Sequence, residues 1–235
     1  MRIDVLTLFP EVIQPYMTAS IIGRAQLAGV ATIHTHQLRD FTDDSHGKVD
    51  DRPFGGGPGM VLTCQPVLDA VEAVEALDER RALRVLFTPR GSAYNQATAG
   101  RFAECERLLF ICGHYEGYDE RIVELLKPVE ISLGDFVMTG GEVAALAVID
   151  SVVRLLPGAL GDEESREDES FQDGRLEYPH YTRPREYRGL QVPDVLISGN
   201  HADIEAWRRK LSEERTQERR PDLLDQCNMA AQRIA

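Results

Sequence analysis

The sequence predicts an α/β fold built on a parallel sheet, followed by a smaller and mainly helical domain. Apolar, β-rich runs alternate with segments of helical period through residues 1–160. The helical segments are long enough to serve as crossovers, which join parallel strands and cover both faces of a sheet. After Pro157 the composition changes: residues 161–177 carry eight acids against Arg166 and Arg175, and helical period returns only beyond them.

In order, RIDVLTLF opens the sheet and a helix is expected from Pro10 to Ala28. VATIHTHQL reads as the next strand, followed by a polar loop, a helix over Gln65–Leu77 and the strand RALRVLFTP. Asn95–Cys105 reads as a helix, RLLFICG as a strand, Asp119–Leu126 as a helix, VEISLGDFV as a strand and Glu142–Leu156 as a helix. Residues 161–177 have little apolar surface to bury and dense negative charge, the composition of a mobile linker. Val192–Leu196 then reads as a short extended segment, and Asp203–Arg220 and Pro221–Ile234 as helices, the second opened by Pro221 at a favourable first-turn position. The expected organisation is a domain over 1–160, a linker over 161–177 and a helical domain over 178–235.

The chain has 235 residues, 43% hydrophobic and 28% charged, enough for one sizeable core and an appendage. The start, MRIDVLTLFPEV, has too short an apolar run to span a membrane and lacks a signal peptide's basic flank, so a cytoplasmic location is expected. Cys64, Cys105, Cys112 and Cys227 form no CxxC pair and have no histidine at metal-ligand spacing; reduced, packed thiols are expected. The net charge of −13 argues at first against a nucleic-acid partner. Nearly half of it, however, lies in the acidic stretch, whereas Trp207–Arg220 holds six bases against three acids on an expected helix.

Three strands are followed by glycine-bearing loops: Thr88-Pro-Arg-Gly91, Cys112-Gly-His-Tyr-Glu-Gly117 and the run from Ser132 to Gly141. In a parallel sheet these loops share the carboxyl edge, where open α/β proteins bind ligands. Any one glycine here can simply terminate a strand; three such loops in succession point to a shared pocket. Neither GxGxxG after a strand nor GxxxxGK[ST] is present, so a dinucleotide fold and a P-loop are unsupported. Gly55-Gly-Gly-Pro-Gly59 lacks the lysine of a phosphate loop and belongs to a long charged loop from His46 to Met60, a length that favours function.

HGKVDDRPFGGGPGMV, ICGHYEGYDERI, SLGDFVMTGGEVAAL, RLLPGALGDEES, YPHYTRP, VLISGNHADIEAWR and RRPDLL occur in this order. Together they resemble the motifs of the bacterial tRNA (guanine-N1)-methyltransferase family, TrmD, over nearly the whole chain. The resemblance implies a SPOUT-type domain with a trefoil knot, one of the rare exceptions to the rule against threaded chains. It implies a homodimer that uses S-adenosyl-L-methionine and tRNA, with neither DNA nor a membrane as partner, and methylation of guanosine 37 after a preceding guanosine. Magnesium is a further expected participant, although no oxygen-ligand motif marks its site.

The resemblance also implies roles for individual residues. Cofactor contacts fall on Pro89 and Gly91, on Gly113, Glu116 and Gly117, and on Leu133, Gly134, Asp135, Phe136, Val137, Met138, Gly140 and Gly141. Glu116 would meet a ribose hydroxyl or the methionine amine; the alternative is an ordinary surface acid. Arg154 would stabilise charge developing at guanine O6, although an arginine at a helix C-terminus also complements the macrodipole. The family's base is an aspartate directly before Ser-Phe, whereas here Glu169 precedes Ser170 and Phe171. Glu169 keeps that register and is the expected base, with Asp168 the alternative and a solvated linker acid the bland reading. His46, Asp50 and Arg52 are expected to face tRNA, and Arg208, Arg209 and Lys210 to meet phosphates, though a charged helix face is often merely solvated. Trp207 reads as a packing anchor. Two rivals are a SPOUT-type enzyme with another RNA target and a catalytically silent relative.

Overall fold

The computed structural model describes residues 1–160, 169–171 and 173–224. Contacts divide the chain into two units, Met1–Gly161 and Asp162–Ala235.

The first unit is an α/β sandwich around a five-stranded sheet. Its strands are β1 (Arg2–Thr7), β2 (Thr32–Gln37), β5 (Leu83–Ala93), β6 (Arg107–Ile111) and β7 (Val129–Ser132), in the order β2-β1-β6-β5-β7. Every pairing in this sheet is parallel. Alternation along the central strands divides the core in two: Ile3, Val5, Leu108 and Phe110 face one layer, Leu6, Leu109 and Ile111 the other. The first layer is completed by α6 (Glu142–Val153), which buries Ala144, Ala145, Val148, Ile149, Val152 and Val153. The second is completed by α3 (Cys64–Glu75) through Val67, Ala70, Val71 and Val74. Central strands buried on both faces explain why RLLFI is apolar throughout.

The expected Pro10–Ala28 helix is in fact two, α1 (Pro10–Met17) and α2 (Ser20–Leu27). The break falls at Thr18 and Ala19, and α2 folds back so tightly that a Cβ on Gly23 would collide with the Thr18 carbonyl. The other expected helices of this unit, including α4 (Gln96–Ala103) and α5 (Glu120–Leu126), form within a few residues of their expected bounds. Asn95 and Asp119 cap α4 and α5 by accepting N–H groups of the first turn, as their residue types favour.

A buried ion pair stands at the opposite edge of the sheet from the loops described below. Asp4 and Arg107 are both fully buried and 3.0 Å apart. Arg107 also donates to the carbonyls of Glu75 at 2.9 Å and Asp78 at 2.8 Å, satisfying acceptors at the end of α3. Burial pushes the Asp4 carboxyl up, but hydrogen bonds from His36, Arg2 and Arg107 outweigh it and hold its pKa at about 2.

In the second unit, a two-stranded ribbon of β8 (Glu186–Tyr187) and β9 (Leu190–Gln191) precedes α7 (His201–Arg219). The extended segment expected at Val192–Leu196 is instead a 3-10 turn over Asp194–Ile197, with the Leu196 N–H donating to Pro193 O at 3.0 Å. Pro193 fixes the turn's entry, and Asp194 is held by Arg185 at 2.9 Å. Residues 173–177, expected in a linker, are held against α7. Arg175 pairs with Glu213 at 3.1 Å, the Leu176 N–H donates to Thr216 Oγ1 at 2.9 Å, and Ser212 donates to Leu176 O at 2.6 Å. Residues 161–168, Cys227 and most of the expected Pro221–Ile234 helix lie outside the described residues.

Replacing Arg107 leaves Asp4 with Arg2 and His36 but deprives the Glu75 and Asp78 carbonyls of their buried donor, so Arg107→Met is expected to lower unfolding stability by about 1–3 kcal/mol in urea titrations at neutral pH. Because folding depresses the Asp4 pKa, its contribution is complete above about pH 5 and is lost progressively as the pH falls through about 2. Asp4→Asn is expected to flatten that part of the stability profile.

Candidate active site

The carboxyl ends of β5, β6 and β7 surround a cavity of about 370 Å³, within the usual range for small-molecule sites. Its first wall is an excursion inside β5. Phe87 and Ser92 both pair with Ile131, so Thr88, Pro89, Arg90 and Gly91 leave the ladder and the strand resumes behind them. This corrects the expectation that β5 ends there. Thr88, Pro89 and Arg90 line the cavity, while Gly91 lies against β7, where a Cβ would collide with the Glu130 and Ile131 backbone. Gly91 is therefore a close-approach residue of the sheet.

The second wall is the loop after β6. Gly113, His114, Tyr115, Glu116 and Gly117 all line the cavity. The Tyr118 hydroxyl donates to Ile111 O at 2.9 Å, and its ring stands 2.7 Å from where a Gly113 Cβ would be. Gly117 has φ of +121°, which a side chain would strain. Burial pushes the Cys112 thiol and the Tyr118 hydroxyl well above their ordinary pKa values.

The third wall runs from Ser132 to Gly141. Ser132 Oγ donates to Gly134 O at 3.0 Å and the Phe136 N–H donates to the same carbonyl at 2.9 Å, which coils the loop. Leu133, Phe136, Val137, Met138, Gly140 and Gly141 line the cavity; Gly134 and Asp135 form the turn outside it. The Gly141 N–H donates to Gly113 O at 2.9 Å and His114 bridges Gly140, so the second and third walls are joined backbone to backbone.

The His46–Gly59 segment leads into a hairpin whose base pairs Asp50 with Leu62 and Asp51 with Val61, in β3 (Asp50–Asp51) and β4 (Val61–Leu62). Gly55, Gly56, Gly57 and Gly59 at its tip have positive φ. The hairpin is tied to the second wall. The Glu116 N–H donates to Met60 O at 3.0 Å and the Leu62 N–H to Gly117 O at 2.9 Å, while the Glu116 carboxylate fills the space beside Gly59. Asp50 is half-buried at the hairpin's base, and His46 and Arg52 are exposed.

Arg154 is the C-cap of α6 in the first unit, directly after Val153. Glu169 belongs to the second unit, where it borders a surface cavity with Arg175, Tyr178, His201 and Arg208; Asp168 lies outside the described residues. On α7, Arg208 stacks 4.7 Å over Tyr178, while Arg209 and Lys210 make exposed pairs with Glu205 and Glu214. Trp207 is half-buried, with its ring 6.3 Å from that of Tyr181. Sequence reasoning missed Thr88, Arg90, His114, Tyr115, Tyr118, Ser132 and Thr139 as cavity residues. All but Tyr118 lie within the three loops as the sequence delimits them, and treating each loop as one wall would have included those; Tyr118 directly follows the second loop. Among the described residues, no group of three or more His, Cys, Asp or Glu side chains is placed to hold a metal ion, and no helix is long and apolar enough to cross a membrane.

A cavity walled by three backbone-rich loops at the carboxyl edge of a parallel sheet defines an α/β protein with a pocket for a nucleotide-sized ligand. The family model described as tRNA (Guanine-1)-methyltransferase TrmD matches residues 1–226. The chain is 55% identical to the tRNA (guanine-N(1)-)-methyltransferase of Brevibacillus brevis, over 96% of this chain and 92% of the relative. It is 54% identical to that of Bacillus pumilus, over 97% and 93%, and 51% identical to that of Bacillus cereus, over 99% and 95%. The chain therefore belongs to the tRNA (guanine-1)-methyltransferase TrmD family and is a methyltransferase.

Two glycine substitutions separate packing from pocket shape. Gly91→Ala is expected to destabilise the protein by about 1–3 kcal/mol in urea unfolding, since backbone must move to admit the methyl group. Gly113→Ala is expected to displace Tyr118 and to weaken S-adenosylhomocysteine binding, measured calorimetrically, by more than about tenfold.

Proposed function

We propose that the protein methylates N1 of guanosine 37, immediately 3′ of the anticodon, in tRNA. The observation that carries this reading is the single cavity formed by the family's three glycine-bearing motifs, with the DDRPFGGGPGM hairpin fastened to its second wall. The walls are rich in backbone donors and acceptors and close enough together to enclose an adenosine, so they fit S-adenosyl-L-methionine. When bound, that cosubstrate supplies an electrophilic methyl group on a sulfonium.

The chain's own groups bind, orient and move a proton. Backbone groups of Leu133, Phe136, Val137 and Met138 hold the adenine and ribose, with Pro89, Gly113, Gly117, Gly140 and Gly141 shaping the walls. Glu116 meets a ribose hydroxyl or the methionine amine. Guanine N1 carries a proton at neutral pH and is a poor nucleophile until that proton leaves, so Glu169 accepts it. Charge then develops towards O6, where the Arg154 guanidinium stabilises it. Asp50 and Arg52 on the hairpin and Arg208, Arg209 and Lys210 on α7 contact the RNA, with His46 beside them; N1 lies on the Watson–Crick edge, so the base must be unpaired or flipped to be reached. The trefoil knot, the homodimer and a helical tRNA-binding C-terminal domain belong to the same reading, and a tRNA substrate implies work in the cytoplasm.

Transfer of labelled methyl to two tRNA transcripts differing only in guanosine or adenosine at position 37 tests the target. Label on the guanosine transcript alone is expected; equal label on both would refute the position. Arg154→Ala and Glu169→Ala are each expected to cut single-turnover methylation by about 100-fold or more while leaving cosubstrate affinity nearly intact, because both act mainly in the transition state.

A further inference from the structure

Gly140 is a glycine for want of space. Its φ is not positive, so its backbone is open to any residue, yet an added Cβ would run into Glu142 Oε2 and stand 2.7 Å from His114 Nδ1. Those two atoms face each other across the place where a side chain is missing.

Each is held there by its surroundings. Glu142, in the first turn of α6, is almost fully buried, and its Oε1 accepts the Thr7 hydroxyl at 2.7 Å. Thr7 Oγ1 in turn accepts the Phe9 N–H at 2.9 Å. The Phe9 ring packs on the His114 imidazole with centroids 5.0 Å apart, and Tyr115 packs edge-on at 5.2 Å. The chain of contacts from His114 through Phe9, Thr7 and Glu142 thus returns to His114 except for one gap. At that gap His114 Nδ1 is buried without a hydrogen-bond partner, the one such side-chain atom among the described residues. A buried ring nitrogen left unpaired costs free energy in any state that keeps it so.

We infer that His114 and Glu142 are positioning residues: with the cavity occupied, Nδ1–H donates to Glu142 Oε2 across Gly140 and locks the second wall to the first turn of α6. The neutral imidazole tautomer with its proton on Nδ1 suffices for this bond. His114, Gly140 and Gly141 line the cavity, so a ligand that draws the walls together acts directly on the gap. The bond contributes only to the occupied state, which makes the pair a means of coupling ligand affinity to loop closure. The inference rests on the reading of the cavity as the S-adenosyl-L-methionine pocket.

The direct test is ¹⁵N spectroscopy of the histidine-labelled full-length protein titrated with S-adenosylhomocysteine, with His114 assigned from His114→Phe. The Nδ1 resonance is expected to change from unpaired to hydrogen-bonded as the amides of Gly113 and Gly117 respond. Response of those amides with Nδ1 unchanged overturns the lock alone; no response from either overturns the pocket reading and the lock with it. In kinetics, His114→Phe keeps the ring packing and removes the nitrogen. Its KM for S-adenosyl-L-methionine is expected to rise about tenfold, the worth of one hydrogen bond, with a much smaller fall in kcat and no loss of melting temperature without ligand. His114→Asn, which returns a donor near Nδ1, is expected to recover most of the affinity. Wild-type KM in His114→Phe, or an equal loss of unliganded stability in both variants, contradicts the inference.

Discussion

The Gly141 N–H meets the Gly113 carbonyl at 2.9 Å, and a Cβ on Gly141 would stand 2.8 Å from Cys112 Cα. Two loops from different strands can approach so closely only where neither presents a side chain, and the cavity depends on that approach. It fixes the first turn of α6 against the end of β6, sets His114 beside Gly140, and leaves the remainder of both loops to arch over a space bounded on its third side by the excursion in β5. The hairpin of residues 50–62 is fastened to the same second wall, so a partner engaging its tip and a ligand in the cavity act on one continuous structure.

Beneath this edge, the sheet supplies rigidity through apolar packing on both faces and, at the opposite edge, through the buried pair of Asp4 and Arg107. That pair does more than neutralise charge. Arg107 reaches the carbonyls that α3 leaves unsatisfied and so joins helix and sheet where no apolar side chain could meet a polar acceptor. Stability is concentrated away from the loops, which leaves the carboxyl edge free to carry a positive-φ backbone at Gly117 and an unpaired imidazole nitrogen at His114.

The alternation of apolar runs and helical segments made the succession of strands and helices along the chain legible, because strands buried on both faces must be apolar and their crossovers amphipathic. The three glycine loops were legible as a group for the same reason: each follows a strand that periodicity identifies. What escaped was tertiary in origin. Nothing local distinguishes Gly91, which packs against β7, from Gly113, which walls the cavity. The break at Thr18 depends on α2 folding back on a carbonyl, and Pro193 reads equally well in an extended segment or at the start of a turn. Residues 173–177 looked like a linker by charge, yet their backbone is held by Ser212 and Thr216 on a helix some forty residues later. The roles of Arg154 and Glu169 came from resemblance, since an arginine at a helix end and an acid among acids carry no signal of their own.

In the proposed function this cavity delivers a methyl group to one atom of one nucleotide. Nuclease digestion and mass spectrometry of an unmodified tRNA transcript, after incubation with the protein and S-adenosyl-L-methionine, measure that outcome directly. A single added methyl is expected, recovered as 1-methylguanosine from the fragment containing position 37. A methyl group on another nucleotide, or on a ribose, would contradict it.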